Sequence, residues 1–347
     1  MKLDIVRKSK PTGDSISLYF RKSADLAKYK AGQHALLSVR INGEVFKRTY
    51  SFHTSPDIDE NVGITVRAVE GGLVSNYLQI NGAADISLDG VAGDFVIEPY
   101  QDNRRHLVLF AAGSGITPIM SMLKTILHHE PESRISLIYS NKYYSSIIFK
   151  DELADLAKKF HGRLAVYHIL TQDENHPVDT PILYKGRLSK MIAKKALKTI
   201  LAQLNYPTEY YLCGPFAFMQ MVEESIRGLN PDNPRIYKEH FYIPDEKREF
   251  DSSNLQTRDV ILQMEDEEQL LIVPGGKTIL DAARDRGMTL PHSCTEGQCG
   301  TCRAFLVSGE VNLRKNHILS PDELKSGHIL LCKALPMSDG ITIKPVR

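Results

Sequence analysis

The chain has 347 residues, 42% of them hydrophobic and 24% charged, with 43 Lys and Arg against 42 Asp and Glu. At ~150 residues per domain, that length predicts two or three globular domains. The composition excludes a disordered tail, a collagen-like repeat and a disulfide-dense miniprotein, and a formal charge of +1 makes no electrostatic case for nucleic acid or an anionic membrane.

Residues 1–101 read as β-rich. Strands are predicted at 34–41, 44–52, 63–69 and 93–97, where β-branched and aromatic residues fall between turn pairs such as Asn42-Gly43 and Asn81-Gly82. Short strands with regular turns fit a small barrel or sandwich, with an antiparallel barrel the fold expected here. Residues 102–242 change rhythm, with strands predicted at 107–112, 134–140, 164–171 and 210–213 and helices at 118–128, 149–160, 190–204 and 217–229. This alternation predicts an α/β domain, a parallel sheet with helices on both faces. Residues 243–257 are polar without a periodic apolar face and read as a linker. Residues 258–347 predict an α+β domain, with a hairpin over 260–273, an amphipathic helix over 278–286 and a closing strand over 339–345. No apolar run follows Met1 to Lys10, and stretches such as 107–112 fall far short of the ~20 residues of a spanning helix. The expectation is a cytoplasmic chain without a signal peptide or membrane span.

Five cysteines in such a chain point to thiol or metal chemistry rather than disulfides. Four of them carry the strongest signal. Cys294, Cys299 and Cys302 stand as C-x4-C-x2-C, and Cys332 follows after 29 intervening residues. This is plant-type [2Fe–2S] spacing: one loop wraps one side of the cluster and a distant thiolate closes it. The small residues Ser293, Thr295, Gly297, Gly300 and Thr301 let backbone N–H groups approach the sulfurs. The competing reading is a four-cysteine zinc site, which usually comes as two C-x2-C knuckles; here there is one.

Four further strings follow in order. Arg48-Thr49-Tyr50-Ser51 ends a predicted strand, and alternation puts Arg48 and Tyr50 on one face. Alone, such a string is more often packing plus a surface charge. It is followed by Gly71-Gly72-Leu73-Val74-Ser75, a glycine turn opening a helix, whose free N–H groups suit an anion. Gly113-Ser114-Gly115-Ile116-Thr117-Pro118 then links a strand to a helix. It departs from the Rossmann fingerprint, with Pro118 at the third glycine, but still allows close backbone approach to a pyrophosphate. Finally, Cys213-Gly214-Pro215 ends a strand in a tight turn, with a buried structural thiol as the plain alternative for Cys213.

Together these strings resemble the ferredoxin–NADP reductase family, and residues 258–347 resemble a plant-type (β-grasp) ferredoxin. The three-module order is that of oxygenase reductase components of the phenylacetyl-CoA epoxidase and 3-ketosteroid 9α-hydroxylase type. The resemblance implies that Arg48 binds the flavin phosphate, Tyr50 packs on the flavin, and Ser51 lies near its N5. Thr49 belongs to the same string. Val66 and Arg67 would line the flavin, and Gly72, Leu73, Val74 and Ser75 would hold phosphate. Gly113, Ser114, Gly115, Thr117 and Pro118, with Cys213, Gly214 and Pro215, would hold the nicotinamide nucleotide. Cys213 and Glu239 would stand near the reacting rings, with Phe241 nearby. Cys294, Cys299, Cys302 and Cys332 would ligate the iron.

The modules make chemical sense together. NAD(P)H yields two electrons as hydride, a [2Fe–2S] cluster takes one at a time, and a flavin steps between them. The resemblance favours FAD over FMN. The nucleotide strand end at Tyr139-Ser140-Asn141-Lys142-Tyr143 has no acid for a ribose 2′-OH and offers Lys142 to a phosphate, which leans to NADPH over NADH. The expected partner is an oxygenase or other one-electron protein acceptor. A stand-alone diaphorase or ferric or flavin reductase, and a redox-sensing module, are the alternatives. The histidines, including His53 and His292, read as surface or core groups.

Overall fold

A computed structural model describes the chain except residues 25, 27, 82–84, 173–175, 179, 203–205, 231, 242–254, 265–266, 298, 315, 317 and 347. It divides into two compact units: Met1–Phe46 with Tyr50–Glu239, and Lys47–Thr49 with His240–Arg347. The linker expected over 243–257 lies outside the described residues except for 255–257. Among the described residues, no helix is long and apolar enough to cross a membrane.

The first unit begins with β1 (Ile5–Thr12), β2 (Ser15–Arg21), β3 (His34–Ile41), β4 (Glu44–Ser51), β5 (Asn61–Arg67), helix α1 (Leu73–Asn81) and β6 (Ile86–Ala92). The strands form two three-stranded sheets, β1-β2-β5 and β4-β3-β6. Isolated bridges Lys2–Ser87 and Phe52–Ile64 join the sheet edges, so the strands close into a barrel. Alternate residues such as Ile16, Leu18 and Phe20 of β2 and Val62, Ile64 and Val66 of β5 fill its interior. The strand expected at 93–97 is not one: Phe95 and Ile97 instead plug the core beneath the next sheet. The sixth strand lies at Ile86–Ala92, where Asp89 and Gly90 break the apolar pattern that sequence reading relies on. β1 was equally hidden, because most of its residues are exposed and polar.

The unit continues with β7 (His106–Ala112), α2 (Ile116–His129), β8 (Arg134–Asn141), α3 (Lys150–Lys159), β9 (Leu164–Leu170), β10 (Ile182–Lys185), α4 (Lys190–Leu201), β11 (Thr208–Cys213), α5 (Phe216–Arg227) and β12 (Arg235–Glu239). All six strands are parallel, in the order β10-β9-β8-β7-β11-β12. One apolar core holds residues of α2 and α3, and a second, built from other residues of the sheet, holds those of α4 and α5. The chain steps outward from β7 to β10 and then returns to the other side of β7. The ends of β7 and β11 therefore flank a topological switch point, the place where open parallel sheets bind ligands. The α2 face also grips the barrel: Ser121 Oγ donates to Thr54 O at 2.6 Å, and Lys124 Nζ pairs with Asp59 at 2.9 Å.

The second unit holds β13 (Arg258–Gln263), β14 (Glu268–Val273), α6 (Ile279–Asp285), β15 (Arg303–Ser308), β16 (Val311–Leu313), α7 (Pro321–Lys325), β17 (His328–Leu330), β18 (Ala334–Pro336) and β19 (Ile341–Pro345). A five-stranded mixed sheet runs β14-β13-β19-β15-β17, with a separate β16-β18 pair. Thr278 caps α6 by accepting from Asp281 N, and Ile279, Leu280, Ala282 and Ala283 are buried with the sheet residues in one core.

Candidate functional sites

The two glycine turns of the first unit pack against one another. β7 and β11 are hydrogen-bonded neighbours, with Cys213 opposite Ala111, so their C-terminal turns meet. A Cβ on Gly115 would lie 2.2 Å from Cys213 O, and one on Gly214 would lie 2.9 Å from the Ala112 Cβ. Any side chain there would push the turns apart. Gly113 has φ +55, a conformation glycine adopts without strain. Thr117 Oγ1 donates to Ser114 O at 3.0 Å, and Pro118 occupies the first turn of α2, where its missing N–H costs no hydrogen bond. Pro215 is the N-cap of α5.

Beside these turns a carboxylate is held between the barrel and the sheet. Glu239 ends β12, opposite Cys213 of β11. Ser51 Oγ, at the end of β4, donates to its Oε2 at 3.2 Å. His34 Nδ1, at the start of β3, lies 3.4 Å from its Oε1. All four side chains are buried. Burial, and then the Glu239 carboxylate, push the Cys213 thiol well up, so it stays neutral at neutral pH. The arrangement can hold a hydroxyl in one orientation and can keep or pass a proton.

On the barrel side, Gly71 turns the chain at φ +69 into α1. Ser75 Oγ accepts from Val69 N and donates to Gly72 O, each at 3.2 Å, which fixes the turn. Val74 is buried, whereas Leu73 is 51% exposed. Arg48 and Thr49 lie on β4, where Arg48 Nη1 donates to Lys47 O at 2.7 Å, and Tyr50 packs against the barrel core. Val66 points into that core. Its neighbour Arg67 points the other way, donates to Asp14 at 2.7 Å, and lies within 3.1 Å of where a Gly113 Cβ would be. The turn into α1 and the two glycine turns thus each lead into a helix N-terminus, and Arg67, paired with Asp14, lies beside the Gly113 turn.

In the second unit the four cluster cysteines are buried and come as two pairs. Contact with the Cys294 thiol, then hydrogen bonds from Thr301, pull Cys299 down to about 6. Contact with Cys332 lowers Cys302. Thr301 Oγ1 donates to Cys299 Sγ at 3.2 Å, and Glu296 N to Cys294 Sγ at 3.4 Å. Thr295, Gly297 and Gly300 all have positive φ, and in this loop Cys294 N donates to Cys299 Sγ at 3.5 Å. Among the described residues, no three His, Cys, Asp or Glu side chains close on a single point. Two thiol pairs with sulfur-directed donors fit two irons holding two thiolates each.

The chain matches three domain families: the oxidoreductase FAD-binding domain over residues 2–97, the oxidoreductase NAD-binding domain over 109–224, and the 2Fe-2S iron-sulfur cluster binding domain over 262–337. It is 30% identical to a subunit of 1,2-phenylacetyl-CoA epoxidase from Escherichia coli, across 98% of this chain and 96% of that one. It is also 30% identical to the ferredoxin reductase component of 3-ketosteroid-9-alpha-monooxygenase from Mycolicibacterium smegmatis, across 99% of this chain and 96% of that one. The fold of phthalate dioxygenase reductase superposes with a TM-score of 0.58 at 21% identity, covering 100% of this chain and 98% of that chain. The chain belongs to the ferredoxin–NADP reductase family, in the branch that carries a plant-type [2Fe–2S] domain. It is an oxidoreductase with FAD-binding, NAD-binding and [2Fe–2S] domains in that order.

Sequence reading missed His34, which meets Glu239 across 205 residues, and Asp14, which holds Arg67 across 53. No local motif marks either, because both matter only through a partner the fold brings near. His53 is a core group as expected, set between Tyr19 and Phe149 with ring centroids 5.2 and 4.9 Å away.

Proposed function

We propose that the protein is the reductase component of an oxygenase system, taking electrons from NAD(P)H through FAD and its [2Fe–2S] cluster to a separate oxygenase. The working division is a flavin barrel over 1–101, a nucleotide domain over 102–242, a linker over 243–257 and a ferredoxin domain over 258–347. The relatives named above favour an acceptor of the phenylacetyl-CoA epoxidase type. The chain would act in the cytoplasm. The observation that carries the reading is the meeting of Ser51, Glu239 and Cys213 beside the two glycine turns.

The flavin supplies the two-to-one electron conversion when bound. Arg48, Thr49, Tyr50 and Arg67, with the amides of Gly72, Leu73, Val74 and Ser75, would hold it, while Val66 supports that wall from the barrel interior. The turns at Gly113 to Pro118 and at Cys213 to Pro215 would seat the nicotinamide nucleotide by backbone contact. Ser51 and Glu239 would hold the proton that leaves or joins the reacting ring. Cys213, a neutral thiol, would pack beside it without charge. Cys294, Cys299, Cys302 and Cys332 would hold the irons. Lys142 is exposed at the end of the nucleotide strand, which favours NADPH as donor.

The test is an anaerobic titration of the purified holoenzyme with NADPH and then NADH, recording the visible spectrum. Flavin and cluster bands should bleach together, with NADPH the better donor. A colourless protein, or bands that neither nucleotide bleaches, would refute the reading.

A further inference from the structure

The turn after β7 has a second holder that lies outside the glycine motif. Tyr139, on the neighbouring strand β8, is fully buried. Its hydroxyl donates to Gly113 O at 3.0 Å. Burial pushes that hydroxyl up, so it remains a donor throughout the working pH range. The same carbonyl accepts from Ile116 N within the short turn Gly113–Gly115.

The consequence follows from peptide geometry. In a trans peptide the C=O and the next N–H point in opposite directions. Holding Gly113 O toward Tyr139 therefore turns Ser114 N–H away from the sheet interior. That N–H opens a helix, so it has no carbonyl a turn earlier to bond, and it is free for an anion. Glycine permits the close approach but leaves this peptide plane easy to rotate. Within the turn, Ile116 N–H is shared between Gly113 O and Ser114 O, and such three-residue turns hold their hydrogen bonds in poorer geometry than an α-helix does. A donor from a different strand fixes the plane where the turn alone would not.

We propose that Tyr139 is a positioning residue for nicotinamide-nucleotide binding: its hydroxyl locks the Gly113–Ser114 peptide so that Ser114 N–H faces the pyrophosphate. The inference rests on the function proposed above.

The test is Tyr139→Phe in the full-length holoenzyme, which removes one oxygen and keeps the ring. The readouts are KM for the preferred nucleotide, kcat at saturation with ferricyanide, and Kd for the oxidised nucleotide from the flavin difference spectrum. KM and Kd should each rise about five- to twenty-fold, with kcat within two-fold of wild type and the flavin and cluster bands intact. An unchanged KM, or a fall in kcat at unchanged KM, overturns the proposal. If the variant loses flavin, Ser114→Pro is used instead, because proline deletes the same N–H at a position where helices accept it. It should raise KM in the same range, and an unchanged KM there also overturns the proposal. A wild-type enzyme whose flavin neither nucleotide reduces would sink the functional reading instead, and the two failures are thereby told apart.

Discussion

At the scale of single residues, the site proposed for the first unit centres on Glu239. The carboxylate accepts from Ser51 and lies beside His34, and the neighbouring thiol of Cys213 is kept neutral partly by its charge. Replacing Glu239 by Gln keeps the shape and one acceptor but removes the group that can take a proton. In stopped-flow mixing with NADPH, Glu239→Gln should slow flavin reduction by about 100- to 1,000-fold, the lower part of the range for a lost acid–base group. Flavin content should be unchanged, and full-speed reduction would argue that Glu239 only fills space. Ser51 and Cys213 were legible in the sequence because each belongs to a string with its own spacing. His34 and Tyr139 were not. A histidine opening a strand and a tyrosine near the end of one look like ordinary core residues until the partner 205 or 26 positions away is in place.

At the scale of elements, the structure departs from sequence expectation where strands are short or polar. β7, β8 and β9 were legible as apolar runs, and α2 and α5 from their apolar periodicity. β10 and β12 have four and five residues and half-exposed faces, so neither carries a readable period. What fixes the sheet end opposite the glycine turns is an ionic network rather than an apolar pattern. Glu130, fully buried at the end of α2, accepts from Arg105 at 2.7 Å, Asn103 at 2.9 Å and Ser133 at 2.7 Å. Arg105 also pairs with Glu209 at 2.8 Å, which ties the start of β7 to β11. Glu130→Ala would take from the mostly buried Arg105 one of its two carboxylate partners, leaving Glu209, and would take the acceptor from Asn103 and Ser133. It should cost about 2 kcal/mol in urea unfolding followed by the first unit's signal. A loss below about 1 kcal/mol would mean that water replaces the carboxylate without penalty.

At the scale of the whole molecule, domain order and cofactor classes were legible because three separate strings each name a chemistry and occur in sequence. The barrel's closure and the reversal of strand order at β7 were not, because both depend on pairings between distant segments. Folding also buries histidines as neutral rings. Burial, with Arg134 adding to it at His106, pulls His106 and His168 down to about 4; burial, then Lys124 and Arg7, holds His53 well below the ordinary histidine value. The folded pKa values lie below the unfolded one, so the unfolded chain binds more protons as pH falls. Stability is therefore full above about pH 6.5 and is lost as pH drops toward 4, by ~2 kcal/mol for each of His106 and His168 at pH 5. Melting curves of the holoenzyme at pH 7.5 and 5 should show this as a clear fall in Tm, and equal values would contradict it. The placing of Glu239 at the end of β12 bears on how the protein is made. β12 is the last strand of its unit to leave the ribosome, and it adds to the sheet's outer edge. Both apolar cores of the parallel sheet are nearly filled by residues before it. A nascent or truncated chain can thus bury its interior while still lacking the carboxylate proposed above to handle the proton, and on that proposal competence arrives only with the finished unit.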